Sequence, residues 1–222
     1  MKKFFILFFS AFLCLALSAC GSNNSNANTK EKSDKPAEES TDSTKSNDDT
    51  ENKTLNTVGD SIEDPNVGTV TLESLKDLNE VLKVGDLSVY LTGVKVLTVT
   101  NMTDQYHSDL QNSLKEDLDT FTYAQITYSL KNNSDQQLDW SGFETAVVDG
   151  SQKDLQFNRM MGFPNPDNIE ILGNSSQENN FVNVPVSTST SKLRLKSADV
   201  LISDRSKDDR LTHGKEIEIS IK

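Results

Sequence analysis

Apolar and polar residues alternate with a period of two along most of the chain after residue 84, a pattern typical of strands with one buried face. In the segment 85–100, GDLSVYLTGVKVLTVT, the apolar positions Leu87, Val89 and Leu91 alternate with polar neighbours. After Gly93 the phase slips by one residue. Because a one-residue slip at glycine is the signature of a β-bulge, we predict one long strand with a bulge at Gly93.

Several further segments carry the same alternation and are separated by turn residues. In the segment 121–136 the apolar face ends at a turn beginning at Asn132. The dipeptide Asp149-Gly150 separates two short apolar runs, and this is a strong hairpin signal. Three more segments are predicted strands: 179–189, 192–203 and 215–222.

Two segments place leucines at helical spacing instead. The segment 71–82, TLESLKDLNEVL, has Leu72, Leu75, Leu78 and Leu82. The segment 107–119, HSDLQNSLKEDLD, has leucines at positions 110, 114 and 118. We predict both as short amphipathic helices that cap the sheets, with partner-binding helices as the alternative.

About seven strands joined by turns predict an all-β fold, an antiparallel immunoglobulin-like β-sandwich with one or two short helices. The domain is expected to cover residues 61–222, a length suited to one core.

The first 19 residues have the pattern of a secretory signal peptide. Lys2 and Lys3 precede an apolar run from residue 4 to 17, and two small residues follow. The run is too short for a stable membrane span. Both cysteines of the chain, Cys14 and Cys20, lie in or directly after this segment, so the mature chain can form no internal disulfide.

The tetrapeptide Leu17-Ser18-Ala19-Cys20 resembles the bacterial lipobox. This resemblance implies that diacylglycerol alkylates the Cys20 thiol and that cleavage makes Cys20 the first residue of the mature chain. Two acyl chains would give a stable anchor to the cell membrane, with the protein on its extracellular face. The alternative is an ordinary secreted protein whose signal peptide happens to end in cysteine.

Residues 20–60 form a predicted disordered linker. Beyond Cys20 the only aliphatic side chains in this range are Ala27, Ala37, Leu55 and Val58, and there is no aromatic residue. Such a composition cannot bury enough apolar surface to offset the entropy of ordering. The linker carries a net charge of −4 and residues 61–222 carry −10, a balance that makes a nucleic acid partner unfavourable.

Three stretches of the domain resemble the DUF4352-type immunoglobulin-like domain of Gram-positive lipoproteins. They are residues 84–96, residues 123–134 and residues 143–157, and the resemblance extends over residues 84–222. It implies a β-sandwich and no catalytic residues. The chain departs from the pattern at Leu172-Gly173-Asn174-Ser175, where the family often has a Pro-Gly-Glu turn, and in the length of the insert at 101–119.

The sequence offers few candidates for catalysis or metal binding. His107 and His213 are the only histidines, and we interpret both as surface or turn residues. A turn with Asp204, Asp208 and Asp209 could supply oxygen ligands to calcium. Because three basic residues are interleaved with these carboxylates, a solvated loop is the favoured interpretation. No catalytic residue, cofactor or metal site is predicted.

The candidate binding residues are Met160, Met161 and Phe163, which lie in the proline-containing stretch FNRMMGFPNPDNIEIL. Methionine and phenylalanine on a loop make adaptable contact surfaces. The alternative is that they close one end of the core, as Trp140 and Phe143 are expected to do at the other.

Two classes of function follow from these observations. The favoured one is a binding or interaction module at the cell surface, whose partner is a surface protein or a wall component. The alternative is an accessory subunit or an enzyme in cell-envelope turnover or transport. The absence of a catalytic constellation in the sequence favours the first.

Overall fold

The computed structural model describes residues 54–203 and 211–222. The predicted signal peptide, Cys20, most of the predicted linker and the aspartate-containing turn at 204–209 lie outside the described residues. Within the described part, neither helix is long and apolar enough to cross a membrane.

The elements follow one another in chain order, with thirteen strands and two helices in the described part. Their bounds are β1 (Ser61–Asp64), β2 (Gly68–Val84), β3 (Leu87–Thr100), α1 (Asp104–Leu114), β4 (Phe121–Asn132), β5 (Leu138–Trp140), β6 (Phe143–Val148), β7 (Ser151–Asp154), α2 (Phe157–Met160), β8 (Glu170–Ile171), β9 (Ser176–Pro185), β10 (Lys192–Ser197), β11 (Val200–Ile202), β12 (Leu211–Thr212) and β13 (Glu216–Ser220).

One layer is a five-stranded antiparallel sheet in the order β1-β2-β3-β4-β9. The other layer consists of two four-stranded sheets, ordered β13-β10-β6-β7 and β12-β11-β5-β8. Strands β5 and β6 follow each other directly, as do β10 and β11, and the Ala198 N–H donates to the Gly142 carbonyl at the junction, at 2.8 Å. The second layer is therefore one strand ladder with a kink.

The core lies between these layers, and its centre is aromatic. Tyr128 from β4 contacts Trp140 and Phe143 from the second layer, and all three rings meet edge to face at 5.4 to 5.9 Å. All three are almost completely buried. The predicted all-β antiparallel sandwich with short helices is thus confirmed.

Local turn signals predicted several features correctly. The register between β3 and β4 shifts between Leu91 and Gly93, where the bulge was expected. Asp149 and Gly150 form the two-residue turn between β6 and β7, and both have positive φ, as this hairpin turn requires.

The predicted helix at 71–82 is wrong, because these residues belong to strand β2. Two register shifts against β3, at Leu72/Ser74 and at Asp77/Glu80, interrupt the alternation. Leu72, Leu78 and Leu82 are buried while Leu75 is 43% exposed. A period of two broken by two bulges therefore imitates helical spacing.

The second predicted helix is confirmed as α1, although it begins earlier and ends earlier than expected. Thr103 caps its N-terminus by accepting from the Tyr106 N–H at 3.2 Å, and Lys115 ends it in the left-handed conformation. Leu110 is buried, and Leu118 lies beyond the helix but packs against the core.

The packed part of the chain begins before residue 61. Leu55 is buried, and the Lys95 ammonium donates to its carbonyl oxygen at 2.6 Å. The Leu72 N–H donates to the Asp60 carbonyl at 2.9 Å. The segment 54–60, which the sequence placed in the linker, therefore contacts the five-stranded sheet through the buried Leu55 and through backbone hydrogen bonds of Gly59 and Asp60.

Candidate functional site

The segment 155–169 connects β7 to β8 and is called the edge connection below. It contains α2, a cis peptide bond between Asn165 and Pro166, and the three candidate binding residues. It runs along β9, the last strand of the five-stranded sheet. The buried Asn158 holds it on β9, and the partly buried Asn165 holds it on the core.

The Asn158 side chain closes part of the β9 edge. Its amide nitrogen donates to the Asn183 carbonyl at 2.8 Å, and its amide oxygen accepts from the Asn183 N–H at 2.9 Å. The same nitrogen donates to the Leu155 carbonyl at 3.1 Å. Asn158 is 1% exposed, so this side chain takes the place of a neighbouring strand where water has no access.

Asn165 fixes the other half of the edge connection to the core. Its side-chain nitrogen donates to the Phe143 carbonyl at 2.8 Å, and its oxygen accepts from the Tyr128 hydroxyl at 2.8 Å. Gly142 makes this approach possible, since a Cβ there would collide with the Asn165 carbonyl and its φ is +95°.

Burial keeps the Tyr128 hydroxyl protonated, so it remains a hydrogen-bond donor. Desolvation raises the pKa of Tyr128 well above its usual value of 10.0, and the neighbouring carboxylate of Asp167 raises the pKa further.

The three candidate binding residues have different environments. Met160 is 59% exposed. Met161 is partly buried and packs against the core cluster. Phe163 is partly buried, with its ring 6.4 Å from that of Phe181 on β9. Met160 is thus available for contact, whereas Met161 and Phe163 contribute to packing.

Met160 and Phe163 line an open groove of about 1030 Å³, called the connection groove. Its charged lining residues are Glu144, Asp154 and Asp167, opposed by Arg159. Because all four side chains are exposed, the groove combines apolar contact area with an excess of negative charge.

A second groove, of about 610 Å³, lies at the other side of β7 and is called the hairpin groove. Leu114, Leu118 and Val186 give it a partly buried aliphatic lining, and the exposed Glu116 and Asp149 also line it. The Asp149 carboxylate accepts from the Thr190 hydroxyl at 2.7 Å.

The sequence did not single out Asn158, Asn165 or the carboxylates of the connection groove. The sequence did contain a signal for the two asparagines. Each lies in a run of apolar residues and prolines, whereas a solvated loop would carry more charge, and this indicates a packed segment. The carboxylates carry no such signal, since Glu144 and Asp167 are far apart in sequence and line the same groove only in the folded chain.

The two histidines lie apart from both grooves. His107 Nε2 lies 3.0 Å from an Asp117 carboxylate oxygen, and His213 Nδ1 lies 3.4 Å from Asp199. The Gly214 N–H, followed by the contacts with His213, lowers the pKa of the exposed Asp199. Across residues 54–203 and 211–222, no three His, Cys, Asp or Glu side chains form a group suited to a metal ion.

Comparison with known proteins gives little further information. No family model matches the chain, and no curated protein matches it. The crystal structure of a functionally unknown protein from Listeria monocytogenes EGD-e is similar with a TM-score of 0.47 and 11% identity, over 68% of this chain and 86% of that one.

Proposed function

We propose that this chain is a membrane-anchored extracellular lipoprotein whose β-sandwich is a binding module at the cell surface. The anchor is the diacylglyceryl group on Cys20, as the resemblance of Leu17-Ser18-Ala19-Cys20 to a lipobox implies. The resemblance to the DUF4352-type domains of Gram-positive lipoproteins also supports a lipoprotein role. The partner is a surface protein or a wall component.

One observation carries the binding role: the edge connection is anchored by side-chain hydrogen bonds and still displays apolar surface. Asn158 fixes its backbone through buried hydrogen bonds and Asn165 through partly buried ones. Met160, in the same segment, keeps most of its side chain exposed beside the connection groove. A preorganised loop with an adaptable apolar side chain loses little entropy on binding.

The contact surface we propose consists of Met160 together with the exposed parts of Met161 and Phe163. Met160 would contribute most, since burial of a largely exposed methionine contributes about 1.5–3 kcal/mol. The turn at 204–209 has no part in this proposal.

Site-specific crosslinking on intact cells tests the binding role. A photoreactive amino acid replaces Ile169, which is 46% exposed and lines the connection groove. We expect a discrete adduct with the native chain that disappears in Met160→Ser. The matched control is Leu201→Ser, because Leu201 is 44% exposed on β11 but lies outside the groove. An adduct that is equal in both variants, or absent throughout, would contradict the proposal.

The anchor is tested separately by metabolic labelling with an acyl-chain probe. We expect Cys20→Ala to remain unlabelled and uncleaved, because the thiol that forms the thioether is lost. Cys14→Ala is the control and should retain label and cleavage, since Cys14 lies within the signal peptide. A labelled Cys20→Ala protein would disprove the anchor.

A further inference from the structure

The strand β7 has one free edge, and the register of the hairpin shows which residues face it. Val148 and Ser151 flank the two-residue turn, so they form a hydrogen-bonded pair. The next such pair is Ala146 with Lys153, and the Leu155 N–H donates to the Glu144 carbonyl at 2.9 Å beyond it.

Because hydrogen-bonded pairs alternate along an antiparallel ladder, the backbone groups of Gln152 and Asp154 point away from β6. No strand pairs with β7 on that side in the described part of the chain. The N–H groups of Gln152 and Asp154 likewise have no partner among the described residues.

The two grooves meet at these same two residues. Gln152 and Asp154 line both the connection groove and the hairpin groove. Thr145, which lines the connection groove, pairs with Asp154 on the outer face of the sheet. Val148, which lines the hairpin groove, is buried on the inner face. Each face of β7 at its free edge therefore borders one groove.

We infer that the free edge of β7 binds an extended segment of a partner protein by strand addition, and that this segment alternates basic with aliphatic residues. This inference rests on the proposed function, since it names the partner of the same surface. Side chains of an added strand alternate between the two faces of the sheet, so the two grooves receive different residues.

Charge selects the residues on the outer face. The two grooves together contain five carboxylates, against Lys153 and Arg159 as the only basic lining residues of the described chain. Lys153 is half-buried and lies opposite Ala146 on the inner face, so it does not neutralise the outer side. Lysine or arginine of an added strand would therefore face Glu144, Asp154 and Asp167.

Aliphatic packing selects the residues on the inner face. Leu114, Leu118 and Val186 line the hairpin groove and are only partly buried. Aliphatic side chains of the added strand would complete this packing. Contacts of this kind give specificity, while the backbone pairing to Gln152 and Asp154 fixes the register.

Amide exchange on the full chain in detergent micelles tests this inference. The probe is a short capped peptide that alternates lysine and valine. We expect it to slow exchange at the Gln152 and Asp154 amides by about tenfold or more, as pairing of an exposed amide does. A peptide alternating glutamate and valine should leave both amides unchanged, and so should a lysine–valine peptide methylated at every backbone nitrogen, since it has no edge free to pair.

Two variants of one residue separate backbone pairing from side-chain contact. Gln152→Pro and Gln152→Thr both remove the glutamine side chain, but only proline removes the N–H. We expect the lysine–valine peptide to bind Gln152→Thr and not Gln152→Pro, with the fluorescence of the single, buried Trp140 confirming that both variants fold.

Equal binding to both variants, unchanged exchange at Gln152 and Asp154, or equal binding of the glutamate peptide would overturn the inference. If the Met160-dependent adduct at the cell surface persists in that case, the proposed function stands and only the partner class is wrong. If that adduct is also absent, both fail.

Discussion

The strands β7 and β9 are both sheet edges and both border the hairpin groove. They differ in whether the outward backbone groups of the edge have hydrogen-bond partners. At β9 the Asn158 amide bonds to both backbone groups of Asn183, and Phe163 packs against Phe181. At β7 the outward groups of Gln152 and Asp154 have no partner in the described part. Since exposed edges invite pairing with other chains, this difference separates a closed structural edge from an open one.

Side chains, not backbone, close the β9 edge, so a single substitution can open it. The edge connection contacts β9 through asparagine and phenylalanine side chains, and the Gln177 side chain on β9 donates to the Glu170 carbonyl of β8 at 2.9 Å. Among residues 54–203 and 211–222, no side chain bonds to the outward backbone groups of β7 in this way. The chain satisfies the outward backbone groups of Asn183 on β9 and leaves those of Gln152 and Asp154 on β7 open, which is consistent with a use for the open edge.

The largest effect is expected from Asn158→Ala, which removes the cover of β9. The substitution leaves the N–H and the carbonyl of Asn183 unsatisfied in a buried site. Since an unsatisfied buried polar group costs about 1–3 kcal/mol, we expect the free energy of unfolding to fall by about 2–4 kcal/mol. Denaturant titration followed by Trp140 fluorescence measures it.

Gln156→Ala is the matched control for this measurement. Gln156 is exposed next to the same helix, and its side chain forms none of the hydrogen bonds of the described residues. The free energy of unfolding of the Gln156→Ala variant should differ from that of the native chain by less than about 0.5 kcal/mol. Similar losses in both variants would show that the Asn158 amide does not hold the edge.

The next effect concerns the apolar residues of the edge connection. Met161→Ser and Phe163→Ser should each lower stability by about 1–3 kcal/mol, because both side chains are partly buried in packed positions. In a domain of this size each kcal/mol lowers the melting temperature by about 2–4 °C. Met160→Ser should leave the melt unchanged. An unchanged melting temperature in all three variants would show that Met161 and Phe163 are not packed and that they belong to the free contact surface.

The sequence was sufficient where structure depends on neighbours along the chain. The turn at Asp149-Gly150, the bulge at Gly93 and the helix α1 all follow from local pattern. The strand β2 was missed because its bulges are set by pairing with β3. Asn158 was missed because its partner Asn183 is distant in sequence, and Leu55 because the surface that buries it exists only after folding.

Tyr128 links the edge connection to the core, and alkaline pH tests this link. Burial raises the pKa of Tyr128 above 10.0 and raises that of Tyr123 to about 12. An unfolded tyrosine releases its proton first as the pH rises, so this stabilisation is complete below pH 10 and is lost above it. We expect stability to fall above pH 10, and to fall less steeply in Tyr128→Phe. Equal slopes would show that Tyr128 ionises as freely as an exposed tyrosine.

The smallest effect is expected at the open edge itself. Gln152→Thr changes an exposed side chain on a strand whose outward backbone groups bond to nothing in the described chain. Threonine is favoured in strands and keeps the N–H, so the free energy of unfolding should change by less than about 0.5 kcal/mol. The free energies of unfolding of Gln152→Thr and Asn158→Ala can then be compared directly. Each substitution concerns one of the two edges, and the same Trp140 fluorescence follows both. A loss at Gln152 as large as that at Asn158 would mean that the Gln152 side chain is packed against a part of the protein that covers this edge, and strand addition there would have no site.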